Sequence, residues 1–143
     1  MGFNSVIAVL GGMVLMFFLT ELIEPPTVSL LAPQRPATMD AYMAARNEPT
    51  AIPGRAAVYA FVGLLAGFMV ARLAGEHHLA HAAAAVALQA MMMLRSFAAD
   101  PAPNPLPLWG RGVLIAAAGA GMLAGAAIRA RAARLNPRTE AGQ

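Results

Sequence analysis

The chain of 143 residues contains no cysteine, no lysine and few charged residues of any kind. Without cysteine it has no disulfides, no thiolate metal sites and no cysteine nucleophile. Charged residues make up 12% of the chain and hydrophobic residues 59%, whereas soluble domains carry about 25% and about 45–50% respectively. So few charges cannot cover the surface of a small soluble globule, and so apolar a chain is not disordered. The composition therefore predicts a membrane protein.

Motifs of catalysis and of nucleic-acid binding are also absent from the sequence. There is no Gly-rich phosphate-binding loop, no Ser/His/Asp triad order and no paired-carboxylate hydrolase signature. All ten basic residues are arginines, and they lie at the ends of apolar runs instead of clustering on one face, which argues against nucleic acid as a partner. The sequence thus leans towards a protein without catalytic activity, and we expect no cofactor.

Four apolar runs are long enough to cross a membrane, which takes about 20 helical residues. The first run lacks the basic start of a cleaved signal peptide, so we expect it to stay as a helix. We predict an all-α fold, a four-helix bundle integral to the membrane, in a single domain covering 1–143. The predicted spans are 4–23, 55–74, 78–97 and 109–131.

The first connection, 24–54, contains six prolines, which end helices and favour extended backbone. Within it, residues 39–47 are expected to form a short helix. Thr38 can cap this helix, and Asp40 suits the positive first turn. Its methionines share one face, which is typical of a helix that lies on the bilayer or on the bundle.

Four spans place both termini on one side of the membrane, here called side A, and the two long connections on the opposite side, side B. Side A carries Arg72, Arg129, Arg131, Arg134 and Arg138, whereas side B carries Arg35, Arg46, Arg55, Arg95 and Arg111. Because the numbers are equal, the positive-inside rule does not decide the orientation by count. We favour cytoplasmic termini because the C-terminal tail concentrates four arginines, which would also attract anionic lipid.

Small residues recur at four-residue spacing on three of the spans. The pairs are Ala8 and Gly12, Gly63 and Gly67, and Gly121 and Gly125. Such GxxxG-like pairs let membrane helices approach closely. They predict either packing within the bundle, which we favour, or a homo-oligomer or contact with other membrane subunits.

Glu21 and Glu24 form the first candidate site, because ionisable groups near the end of a membrane helix usually face a partner or a cavity. They are three residues apart and share a helical face. Two close carboxylates could hold a proton or a cation. The alternative, which we favour, is that both lie among the headgroups, solvated or paired with an arginine of side B. The candidate arginines are Arg55, Arg95 and Arg111.

His77, His78 and His81 form the second candidate site, since their helical spacing could present two imidazoles to zinc or copper. The alternative is a helix start at the membrane interface with neutral imidazoles and no metal. Deeper in the third span, Gln89 is expected to hydrogen-bond with Thr20 or with backbone. The histidines belong to side A and the carboxylates to side B, so about 30 Å of hydrocarbon separates the two candidate sites.

The segment from Met39 to about Gln89 resembles uncharacterised small multi-pass membrane proteins of bacteria. The resemblance is carried by Tyr42 with Arg46-Asn47, by Gly67-Phe-Met-Val-Ala-Arg-Leu-Ala-Gly75, and by His81-Ala. It implies no activity, but it agrees with the Arg-only, Ala-rich composition in indicating the inner membrane of a bacterium. The leading hypothesis is a non-catalytic accessory or scaffold subunit. The alternatives are a small transporter or ion-binding protein using Glu21, and a metal protein using the histidines.

Overall fold

A computed structural model describes residues 3–75, 77–99 and 105–135 of the chain. Every regular element in these residues is helical. The five α-helices are α1 (Phe3–Leu31), α2 (Met39–Asn47), α3 (Ile52–Ala74), α4 (His78–Ala98) and α5 (Leu108–Leu135), and a single 3-10 turn, Pro49–Ala51, leads into α3.

Four of the helices are long and apolar enough to span a membrane, as the sequence predicted. The candidate spans are Ser5–Leu31, Pro49–Ala74, His78–Ala98 and Leu108–Leu135. Their mean hydropathy is lowest, at 1.2, in the third span, which carries the histidines, and highest, at 2.4, in the first. The architecture is that expected of a multi-pass membrane protein.

The prediction that α1 ends before Pro25 is wrong. The helix continues through Pro25 and Pro26 to Leu31, although each proline removes a backbone donor. Tertiary contact outweighs this local cost, because Val28 is completely buried and the side chain of Leu31 packs over Gly54 at the start of α3. Membrane helices tolerate proline where neighbouring groups compensate for the lost bonds, and the Thr27 hydroxyl here donates to the Ile23 carbonyl at 2.8 Å.

The extension of α1 shortens the first connection, so the predicted loop 24–54 is also wrong at both ends. Residues 32–38 lead directly into α2, and the 3-10 turn lets α3 begin at Ile52 instead of residue 55. The short helix itself occupies Met39–Asn47, the predicted range. Thr38 caps it as expected, its hydroxyl accepting a hydrogen bond from the Ala41 amide at 3.2 Å.

α3 lies at the centre of the bundle and contacts α1, α4 and α5. Gly12 of α1 faces Ala66 and Val70 of α3, whereas the end of α1 meets the start of α3, so these two helices are antiparallel. The short turn from α3 to α4 reverses the chain with positive φ angles of 68° at Gly75 and 52° at His77. Left-handed backbone costs glycine little, and histidine is one of the side chains that adopt it more readily.

The tightest packing joins α3 to α5, which run parallel. A Cβ atom on Gly63 or Gly67 would meet the backbone of Ala118 or Met122, and one on Gly121 or Gly125 would meet the backbone of Ala60 or Leu64. The two glycine pairs therefore face each other's helices and let two backbones touch. Ala8, also fully buried, and Gly12 are likewise inside the bundle. All six small residues therefore contribute to packing within one chain.

Candidate ionic cluster and adjoining cavities

Glu24 of α1 lies at the centre of a buried group of charged and polar side chains on side B. Its side chain is 3% exposed. Oε1 accepts hydrogen bonds from Nε of Arg55 at 2.7 Å and from Nε of Arg46 at 2.8 Å, and Oε2 accepts one from the Tyr59 hydroxyl at 3.1 Å. Both carboxylate oxygens are thus engaged, which is how a carboxylate can stay ionised in a buried position.

Arg55 connects this carboxylate to α2. Its side chain is 1% exposed, and Nη1 donates to the backbone carbonyl of Arg46 at 2.8 Å. Arg46 lies in the last turn of α2, where a cation is favoured by the helix dipole. We call Glu24, Arg46, Arg55 and Tyr59 the ionic cluster. It joins α1, α2 and α3 at one point and holds the short helix against the end of the bundle.

The electrostatics of the cluster are asymmetric, because one carboxylate serves two guanidinium groups. Both ion pairs found in the described residues involve Glu24. Burial acts to lower the pKa of Arg46, but the Glu24 carboxylate outweighs it and raises this pKa above its usual value. Burial raises the pKa of Tyr42 on the same helix, and the negative charge of Glu24 adds to this effect. Glu24 carries one negative charge, and Arg46 and Arg55 carry one positive charge each, so the cluster has a net charge of +1.

The structure brings together only part of the predicted carboxylate site. Glu24 and Arg55 are in contact, as one of the alternatives proposed, but Glu21 is exposed and Arg95 is exposed on α4. Arg111 instead donates from Nε to the Leu106 carbonyl at 2.9 Å, and its guanidinium carbon is 5.9 Å from the centre of the Phe97 ring. Of the three candidate arginines, Arg55 pairs with Glu24, whereas Arg95 and Arg111 form no ion pair with either carboxylate in the described residues. Helical spacing fixes a face but not the element that it meets.

Two members of the cluster, Arg46 and Tyr59, were not predicted. A signal for Tyr59 exists in the sequence, since it follows Arg55 by four residues and so lies on the same face of α3. Arg46 carries no such signal. Its contact with Glu24 spans 22 positions in sequence and depends on α1 extending beyond Pro26, which brings α2 back over the bundle.

A cavity of about 560 Å³ lies between α1 and α4, next to the cluster. The part of its wall farther from side B is apolar and includes Leu10, Met13, Val14, Phe17 and Leu88. Towards side B the wall becomes polar, with Thr20, Glu21, Arg46, Tyr59, Gln89 and Ser96. The predicted bond between Gln89 and Thr20 is not formed: within the described part of the chain, the buried Thr20 Oγ1 has no hydrogen-bond partner.

A second cavity, of about 210 Å³, adjoins the first on side B. It is lined by Met43, Arg46, Asn47, Arg55, Ser96, Phe97 and Ala99. Arg46 and Ser96 belong to the walls of both cavities. Both arginines of the ionic cluster therefore belong to the wall of the smaller cavity, and the larger one continues from it between apolar helices.

The three histidines do not come together as a metal site. His78 places Nδ1 2.7 Å from the Ala71 carbonyl, and His81 places Nδ1 3.1 Å from the His77 carbonyl. Across residues 3–75, 77–99 and 105–135, no group of three or more His, Asp or Glu side chains could hold a metal ion. The imidazoles of His78 and His81 instead contact backbone carbonyls beside the start of α4.

These observations define a class: an all-helical chain with four potential membrane spans, closed on side B by a buried ionic cluster and a short surface helix. Comparisons with protein-family models, with curated proteins and with solved structures found no match. The resemblance of residues 39–89 to small multi-pass membrane proteins of bacteria therefore stays a prediction.

Proposed function

We propose that the protein is a multi-pass protein of a bacterial inner membrane and acts as a non-catalytic accessory subunit of a membrane complex. The observation that carries this proposal is the use made of the buried charges. Glu24, Arg46 and Arg55 bind one another and thereby fix α2 on the end of the bundle. A buried ion pair contributes little net stability but defines one arrangement of its elements, and here that arrangement presents α2.

The outer side of α2 has the chemistry of a docking surface. Met39 is 72% exposed, and Thr38, Asp40 and Ala41 beside it are also exposed. Exposed Arg35 precedes the helix and exposed Glu48 follows it. This mixture of one large apolar side chain with both signs of charge is typical of interfaces that form between folded subunits. The paired glycines, in contrast, are covered by the protein's own helices, so they do not favour a homo-oligomer.

The test is purification of the full chain from its native membranes in mild detergent, with two matched variants. Arg46→Gln removes a guanidinium that holds α2, and Arg35→Gln removes the same charge from an exposed position nearby. We expect the wild type and Arg35→Gln to migrate in a complex of defined size, and Arg46→Gln to migrate alone. A monodisperse single chain for the wild type would refute the accessory role.

A second candidate, a small transporter or ion-binding protein, is favoured by the position of Glu21. This carboxylate lies on the wall of the larger cavity together with Gln89 and Ser96, and such lining groups are characteristic of intramembrane ion paths. In proteoliposomes with an imposed proton gradient, we expect a transporter to lose its proton flux in the Glu21→Gln variant but to keep it in the Glu48→Gln variant. Absence of flux in the wild type would exclude this role.

A further inference from the structure

The two adjoining cavities form one amphipathic site, which the accessory role does not require. The smaller cavity is lined by the guanidinium-bearing Arg46 and Arg55, and the larger one extends from it along the apolar walls of α1 and α4. Arg46 and Ser96 line both. A molecule that fills the site therefore has a compact polar end and an apolar body.

The polar end of the site favours an anion. Glu24 balances only one of the two arginines, and Glu21 makes no ion pair with either of them among the described residues. The side chain of Arg55 is 1% exposed and that of Arg46 is 24% exposed, so Arg46 is the cation that an incoming anion can reach. Planar guanidinium groups bind phosphate oxygens well.

The apolar part of the site favours a hydrocarbon chain. Its volume of about 560 Å³ lies within the range of about 300–1,000 Å³ that is typical of small-ligand sites. The part of its wall farther from side B is formed by Leu10, Met13, Val14 and Leu88.

We propose that this site binds one anionic phospholipid, with the phosphate against Arg46, Arg55 and Ser96 and one acyl chain in the groove between α1 and α4. The order of the groups agrees with the expected depth of the bundle in a membrane. The arginines lie at the side B end of the candidate spans, where headgroups are found, and the groove runs from there towards the hydrocarbon. This lipid is distinct from any lipid attracted by the tail arginines on side A.

The proposal is tested by native mass spectrometry of the purified full chain with micelles containing phosphatidylglycerol or phosphatidylcholine. We expect one phosphatidylglycerol to stay bound per chain, with affinity higher than that for phosphatidylcholine by about tenfold, which corresponds to about 1.4 kcal/mol. Arg46→Gln should lower the phosphatidylglycerol affinity by about tenfold or more, because it removes a charged phosphate ligand. Arg35→Gln removes an equal charge from an exposed position on the same side and should leave the affinity unchanged.

The groove is tested separately, by a variant that leaves the ionic cluster intact. Leu88→Trp fills the groove, whereas Leu94→Trp places the same side chain on the outer surface of α4, where Leu94 is 57% exposed. We expect Leu88→Trp to abolish retention of the lipid and Leu94→Trp to preserve it, with thermal unfolding showing that both variants fold. Because Leu88 is not part of the ionic cluster, we expect Leu88→Trp to leave α2 in place. Loss of lipid in this variant would therefore not result from loss of a docked partner.

Three results would overturn the proposal. They are equal retention of the two lipids, equal loss of lipid in Arg46→Gln and Arg35→Gln, and binding of inorganic phosphate as tight as that of phosphatidylglycerol. The last would show that the arginines bind a free anion and that the groove contributes nothing. If Leu88→Trp proves unfolded, Val14→Trp fills the same groove from α1, where Val14 is 68% exposed, and lipid retention unchanged from the wild type would refute binding of an acyl chain there.

Discussion

At the scale of single residues, the position of Glu24 decides which charged groups matter. Two residues separate it from Glu21, yet Glu24 is 2% exposed and accepts three hydrogen bonds whereas Glu21 is exposed. Their identical chemistry has different consequences because only Glu24 meets α2 and α3. Breaking a buried ion pair leaves a charge that neither water nor protein compensates.

The first prediction concerns the loss of this carboxylate charge. Glu24→Gln should lower the free energy of unfolding in detergent by about 3–5 kcal/mol, because it leaves the buried Arg55 guanidinium without a counter-charge. Glu21→Gln, an exposed change of the same kind, should stay within about 0.5 kcal/mol. Thermal unfolding followed by the fluorescence of the single tryptophan measures both. Equal effects would mean that the ionic cluster does not stabilise the bundle.

The second prediction concerns Tyr42, whose pKa is raised by burial and by the charge of Glu24. The chain has two tyrosines, so Tyr59→Phe leaves Tyr42 as the single phenol. We expect its ultraviolet titration to have a midpoint above the ordinary pKa of 10.0 in the folded protein and to return to about 10 in denaturant.

The sign of the linked effect on stability follows from this shift. A folded-state pKa above the unfolded value contributes stability that is present below pH 10 and lost as the pH rises through the folded pKa. The Tyr59→Phe protein should therefore become less stable as Tyr42 ionises. A folded-state midpoint at or below that of the denatured protein would contradict the placement of Tyr42 beside Glu24.

At the scale of helices, backbone contact explains features that local preference does not. Pro25 and Pro26 predict the end of a helix, but α1 continues because Val28 and Leu31 pack beyond them. α3 and α5 touch through glycine pairs, and a glycine inside a helix is unfavourable by about 0.5–1 kcal/mol relative to alanine unless close approach requires it.

The third prediction compares two glycines that differ only in their surroundings. Gly67→Ala would bring its methyl group against the backbone of Met122, whereas an added Cβ on Gly112 meets nothing within 4 Å. We expect Gly67→Ala to destabilise the protein by about 1–3 kcal/mol through overpacking and Gly112→Ala to be neutral or stabilising by up to about 1 kcal/mol. Thermal unfolding in one detergent measures both.

The opposite order of stability for these two glycine variants would show that α3 and α5 do not pack through Gly67. Because both substitutions add one methyl group to a helix, differences in helix propensity cancel in the comparison. What remains is the contact between the two helices.

The same contrast shows how far helical elements can be predicted. The cap at Thr38 and the range of α2 depend on neighbours in sequence, so they were predictable. The ends of α1 and α3 depend on contacts between Leu31 and Gly54, residues that are distant in sequence.

The C-terminal Arg138, part of the predicted lipid-attracting tail, lies outside the described residues, whereas Arg131 and Arg134 continue α5.

At the scale of the whole molecule, the alternation of helix directions puts the ionic cluster and the histidines at opposite ends. Glu24, Arg46 and Arg55 gather on side B, and the turn with His77 and His78 lies on side A. The described residues therefore place the ionic cluster at one end of the bundle and the histidine turn at the other. Its orientation decides which compartment meets α2.

The fourth prediction concerns that orientation, which the arginine count leaves undecided. Because the chain has no cysteine, single cysteines report on each side with a thiol reagent that does not cross membranes. We expect Gln34→Cys on side B to be labelled in intact spheroplasts, and Ala132→Cys near the end of α5 to be labelled only after permeabilisation. The reverse pattern would place the termini outside the cytoplasm, and labelling of both positions in intact spheroplasts would contradict the three crossings predicted between them.

The helical fold, the number and approximate place of the apolar helices, and the capped short helix between the first two could be predicted from the sequence. These follow from local composition, hydrophobic run length and side chains a few residues apart. The three-dimensional packing was needed to show that α1 continues through two prolines, that Glu24 binds Arg46 and Arg55 while Glu21 does not, and that the glycine pairs meet each other inside one chain. These features depend on which helix faces which, and that is set by close packing between residues distant in sequence.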